Sequence, residues 1–119
     1  MADGISRIAL IDLHTGPLSA AVKSLTDIDA SVTAIHIEAD VSKEEQVDQA
    51  VATTVEKFGR IDVCLNAAGI TGKTAATSDL KNEDYDKVLD INLKGVWYCE
   101  RAQIRQMLKQ ELRDLTLVF

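Results

Sequence analysis

Glycine is sparse and scattered in this chain. Six glycines occur in 119 residues, and no glycine-rich run stands anywhere along it. That excludes the usual main-chain cradle for a phosphate at a helix N-terminus. No apolar run is long enough to span a bilayer. Basic residues are not in excess: 13 Lys and Arg face 19 Asp and Glu, for a net charge of −6. This balance argues against a nucleic-acid surface or an anionic membrane as partner. The stretch Met1-Ala2-Asp3-Gly4 has no basic region followed by an apolar one, so no secretory signal is visible and the cytoplasm is the default compartment. Cysteine occurs only twice, without metal-ligand spacing. Cys64 in an apolar run and Cys99 on a helical face read as inert core thiols of a reducing compartment. What remains is ordinary: 46% hydrophobic and 27% charged residues, fitting one soluble globular domain.

Short apolar runs and helical periods alternate along the chain. Arg7-Ile8-Ala9-Leu10-Ile11-Asp12-Leu13, bounded by turn residues, predicts a buried strand. His14-Thr15-Gly16-Pro17 is a turn cluster, with Pro17 placed to start a helix. Leu18, Ala21, Val22 and Leu25 then recur at helical spacing. A second strand is expected over 31–37. Ser42-Lys43-Glu44-Glu45 has the capping-box pattern, with Ser42 as N-cap and Glu45 reaching back. Val47, Ala50, Val51, Thr54, Val55 and Phe58 form one helical face, and Gly59 is placed to stop that helix. A third strand is expected over 61–65. Asn82 can cap a long helix over 83–110, with Val88, Leu89, Val96, Cys99 and Ala102 among its apolar positions. Residues 115–119 read as a fourth strand. Such alternation implies an α/β fold with a doubly wound parallel sheet, right-handed crossovers and helices on both faces.

In open α/β sheets, ligands sit beyond the carboxyl ends of the strands. Three groups of residues stand at such ends. Asn66-Ala67-Ala68-Gly69 follows the third apolar run. Its small side chains let a flat ligand approach the backbone, and the Asn66 amide can tie the loop to neighbouring main chain. Asp12 ends the first strand, where a carboxylate can accept both hydroxyl protons of an adenosine ribose and repel a 2′-phosphate. The plainer alternative is a polar strand end beside a turn. Asp40-Val41 ends the second strand. Asp40 could accept from the exocyclic amine of adenine while Val41 packs on the ring, or it could serve only to cap the helix after Ser42. Asn92, in Asn92-Leu93-Lys94-Gly95, weakens the helix it sits in. It could hold a kink or a water and relay protons, or it could be a structural asparagine bonded to nearby backbone. Trp97 and Tyr98 read as packing or interface residues.

With these residues in view, the chain resembles the short-chain dehydrogenase/reductase family from about residue 4 to 110. The resemblance rests on Ala39-Asp40-Val41-Ser42, Gly59-Arg60-Ile61-Asp62, Asn66-Ala67-Ala68-Gly69 and Asp90-Ile91-Asn92-Leu93-Lys94-Gly95. It implies a Rossmann-like fold and NAD-dependent hydride transfer between the nicotinamide and a hydroxyl or carbonyl of a small-molecule substrate. By resemblance, Asp12 would select NAD, Asp40 and Val41 would hold adenine, and Asn66, Ala67, Ala68 and Gly69 would line the cofactor site and stabilise the sheet. Asn92 would be the catalytic-site asparagine that kinks its helix and helps anchor a proton-relay water. The helix over 83–110 would form subunit interfaces, giving a homo- or hetero-oligomer. Residues 71–79 would flank a substrate.

The departures are equally specific. The family's glycine-rich turn, Thr-Gly-x-x-x-Gly-x-Gly, is missing, and so is its Tyr-x-x-x-Lys pair. Tyr85 is followed four residues later by Leu89, and Tyr98 by Ala102. The tyrosine supplies the proton and the lysine lowers its pKa, so acid–base catalysis has no agent here. The 119 residues therefore read as a single partial dinucleotide-binding domain, of about four strands and three helices, from which no turnover is expected alone. The sheet would also lack a central strand. Either the first and third strands close up, or two unpaired edges remain. The alternative function is a non-catalytic nucleotide-binding or dimerisation module.

Overall fold

The chain builds one short parallel ladder and then a long helical rod beside a segment without helix or strand. A computed structural model describes residues 5–112. Strand β1 (Arg7–Asp12) pairs in parallel with β2 (Thr33–Glu38), in register from Arg7 opposite Thr33 to Asp12 opposite Glu38. Helix α1 (Thr15–Ile28) connects them and buries Leu18. It begins two residues before Pro17. A proline fits there because N–H groups of the first turn have no partner inside the helix.

Helix α2 (Glu44–Phe58) buries Val47, Ala50 and Thr54 on the face that the sequence predicts. Gly59 ends it with φ +82°, and its N–H reaches the Val55 carbonyl at 2.7 Å. A side chain at that φ would be strained, so glycine suits the stop. The start differs from the expected capping box. Lys43 is the N-cap, no side chain caps the helix, and the Ser42 hydroxyl donates to Asp40 Oδ1 at 2.7 Å. A carboxylate is a stronger acceptor than a neutral oxygen, so it takes the hydroxyl proton and turns Ser42 away from the helix.

The third expected strand does not form. Residues 61–65 belong to no ladder, and among the described residues β1 pairs with β2 alone. A strand needs a neighbour offering main-chain donors and acceptors at about 4.8 Å. Among the described residues none lies beside this segment. Instead the Gln110 side chain brackets Ile61, with bonds of 2.9 Å from the Ile61 N–H and 2.8 Å to its carbonyl. Val63 and Leu65 stay 70% and 88% exposed. Of the two outcomes left open by the sequence, the closing of the first and third strands on each other is not found among the described residues.

The long helix is present, in three parts. Helix α3 (Asn82–Leu89) passes into a π-helical turn (Asp90–Gly95) and continues as α4 (Val96–Met107). Lys81 rather than Asn82 is the N-cap, a difference of one residue at a frayed end. The rod ends at Met107, three residues before the expected limit. The expected fourth strand, 115–119, lies outside the described residues. The fold class is α/β of Rossmann type, with a parallel sheet of two strands among the described residues.

The core is thin. Among the described residues Leu18, Ala39, Val47, Ala50, Ile61 and Ala102 are the buried apolar residues, and no large side chain is fully buried. Helices α2 and α4 pack together, and an Arg101–Glu44 ion pair closes the seam between them.

Candidate functional site

The π turn is the hub of the candidate site. It adds width to the helix where Asn92 and Gly95 sit, and such bulges recur at functional sites. Asn92 bonds at both ends of its amide: Oδ1 accepts the Ile70 N–H at 2.9 Å and Nδ2 donates to the Ile70 carbonyl at 2.8 Å. The asparagine thus does for Ile70 what a paired strand would do. A Cβ on Gly69 would stand 3.3 Å from Asn92 Oδ1, so the loop and the helix touch closely at that point. A Cβ on Gly95 would stand 2.9 Å from Val41 Cγ2 and 3.2 Å from the Val41 carbonyl. Gly95 therefore lets the helix rest directly on the loop after β2.

Asp12 and Asp40 share one end of the sheet. The Asp12 carbonyl accepts the Ala39 N–H at 3.0 Å, and Asp12 is the register partner of Glu38. The Asp12 side chain is exposed, with one long bond of 3.3 Å from the His14 N–H to Oδ1. Asp40 is more engaged. Its Oδ1 accepts the Ser42 N–H at 2.9 Å as well as the hydroxyl, and its own N–H donates to Gln46 Oε1 at 2.8 Å. The Ser42 hydroxyl, then the Ser42 N–H and the charges of Lys43 and Lys87, hold the Asp40 carboxyl below the usual carboxylate range, against a partial burial that works the other way.

In the loop 66–69, Ala67, Ala68 and Gly69 are exposed. Asn66 is half-buried and exchanges two hydrogen bonds with the Gln103 amide, at 2.9 and 2.8 Å. The structure thus brings Val41 against Gly95, and Gly69 and Ile70 against Asn92. It places Asp12 and Asp40 at the same sheet end. Gln103, Gln110 and Gln46 all position site backbone or side chains, and sequence reasoning missed each. A glutamine looks the same in sequence whether it meets water or folds onto another segment, so no local signal marks them.

Past Gly69 an open cleft of about 360 Å³ is lined by Ile70, Thr71, Gly72, Lys73, Asp84 and Lys87. It coincides with the start of the segment expected to flank a substrate. Gly72, at φ +75°, makes the turn there; a Cβ would strike Val88 Cγ2 at 2.5 Å. Cys64 and Cys99 are both half-buried, and burial pushes both thiols above their ordinary range. Among the described residues no group of three His, Cys, Asp or Glu is placed to hold a metal ion, and no helix is long and apolar enough to cross a membrane.

This arrangement is that of a Rossmann-type α/β family, and comparison with known proteins says which. The profile described as short chain dehydrogenase matches residues 1–112, so the chain belongs to the short-chain dehydrogenase family. It is 37% identical over 105 residues to levodione reductase of Leifsonia aquatica, covering 88% of this chain and 39% of that protein. It is 32% identical over 109 residues to glucose 1-dehydrogenase 2 of Bacillus subtilis, covering 91% and 42%. The crystal structure of levodione reductase matches with a TM-score of 0.83 at 34% identity, covering 87% of this chain and 40% of that one. NAD+-bound xylitol dehydrogenase matches with a TM-score of 0.81 at 35% identity, covering 87% and 39%. The chain spans about two fifths of the length of the relatives it matches.

Proposed function

We propose that this chain carries the adenosine-binding part of an NAD-dependent oxidoreductase, one that moves hydride between the nicotinamide and a hydroxyl or carbonyl of a small molecule. In this reading the 119 residues are part of one dinucleotide-binding domain and do not turn over alone. NAD, when bound, supplies the hydride acceptor. The observation that carries the reading is the pairing of Asp12 and Asp40 at one sheet end, with Val41 and the 66–69 loop fixed beside them by Gly95 and Asn92. Asp12 is exposed and weakly engaged, so its carboxylate is free to accept the two ribose hydroxyls. A 2′-phosphate at that place would meet a like charge. Asp40 keeps Oδ2 for the exocyclic amine of adenine, since Ser42 occupies Oδ1.

The test is thermal unfolding of the purified chain with millimolar NADH or NADPH. NADH should raise the midpoint and NADPH should not, because a ligand of the native state stabilises it. Equal or greater stabilisation by NADPH would sink the NAD assignment, and no shift with either would sink the nucleotide site. NADH-dependent turnover by the pure chain would overturn the claim of catalytic incompleteness.

A second reading has its own observation. Leu93, Trp97, Ile104 and Leu108 lie along the rod at helical spacing and are all exposed. We infer that this face pairs with a second copy or with a longer relative. Sedimentation of the chain, alone and with Ile104→Asp, tests it: a monomer at all concentrations and no complex with a relative would remove the support.

A further inference from the structure

Three amide side chains, two on the helical rod and one in the turn just after it, take hold of the segment 61–70. Gln110 brackets the main chain of Ile61, Gln103 exchanges two bonds with the Asn66 amide, and Asn92 brackets the main chain of Ile70. Each contact has two points. The helix order 110, 103, 92 meets the segment order 61, 66, 70, so the segment runs antiparallel to the rod. Asn92 stands in the π turn, Gln103 in α4 and Gln110 three residues past the end of α4, and all three reach the same segment. No ladder holds this segment among the described residues, and the three amides tie it to the rod at three places.

Two of the three contacts are blind to sequence. Gln110 and Asn92 bond main-chain groups that any residue but proline would offer. Gln103 bonds a side chain, and Asn66 is the sole carboxamide between 61 and 70. We propose that Gln103 is a positioning residue that, through Asn66, sets the register of the 66–69 loop and so the shape of the nucleotide site. The effect on nucleotide binding rests on the function proposed above; the register does not.

Amide hydrogen exchange on the whole chain, with and without NADH, tests this. Gln103→Leu removes both bonds at similar volume. Exchange over 66–70 should rise on the order of tenfold, with β1 and β2 unchanged. Unchanged exchange over 66–70, or a uniform rise along the chain, would overturn the proposal. Gln103→Glu adds a readout that simple loss of packing would not move. A neutral carboxyl can donate and accept as the amide does, whereas the ionised form offers Asn66 two acceptors and no donor. The excess exchange over wild type should therefore appear as pH rises through about 4 to 5, the ordinary range of a glutamate. An excess independent of pH would count against the pairing. If wild type binds NADH and Gln103→Leu binds it equally well, the role in shaping the site is wrong. If wild type binds no NADH, the proposed function fails while the exchange data still judge Gln103.

Discussion

At the scale of single residues, the site depends on side chains that replace missing main-chain partners. Asn92 serves both the N–H and the carbonyl of Ile70. Asn92→Ala should lower stability by about 1–2 kcal/mol in urea denaturation, the worth of two hydrogen bonds at an exposed position. Asp40 gives a pH signature. Its carboxyl is held low by the Ser42 hydroxyl, so the folded state binds that proton less readily than the unfolded chain does. The stabilisation is therefore complete above the unfolded value, near about 3.9, and is lost as pH falls through the lower folded one. Wild type should exceed Ser42→Ala in stability by a constant amount near neutrality, and the gap should close below about pH 4; denaturation at stepped pH measures it. Much at this scale was legible. Asn92 stood out because it weakens its helix, and Gly59 because it follows a periodic face. Gln103 did not, because its partner lies 37 positions away and its own helix gives it no mark.

At the scale of elements, helices were read well and strands less so. A helix satisfies its own backbone, so α1 and α2 follow from local period. A strand is a relation between two segments. The apolar run 61–65 has a strand's composition, but no neighbouring strand lies within reach among the described residues. The capping box failed for a related reason: Ser42 had two candidate partners, and local pattern does not rank the Asp40 carboxylate against the helix. The contact between elements that shapes the site is Gly95 on Val41. Gly95→Ala puts a methyl 2.9 Å from Val41 Cγ2 and should cost about 1–3 kcal/mol, with part of the loss recovered in the Val41→Ala, Gly95→Ala double variant. Equal losses in single and double variants would show that the neighbouring carbonyls, not the valine methyl, set the limit.

At the scale of the whole molecule, the chain is extended for its length. Its radius of gyration is 16.8 Å, against about 13 Å for a globular chain of this size. The excess goes with the thin core and with Val63 and Leu65, exposed on a segment that pairs with no strand among the described residues. Segments of that kind recruit other chains. The protein should therefore associate with rising concentration, and Leu65→Lys should shift light scattering toward the monomer without changing helical circular dichroism. The ladder with α1 and α2 meets the rod chiefly where α2 packs on α4. Arg101 sits at that seam, paired with Glu44 and with its guanidinium 4.0 Å from the Trp97 ring centroid. Trp97 is the only tryptophan in the chain. Its fluorescence is thus a built-in optical gauge of where the Arg101 guanidinium sits, and it should change when the Arg101–Glu44 pair at the seam opens, even where each half keeps its own secondary structure.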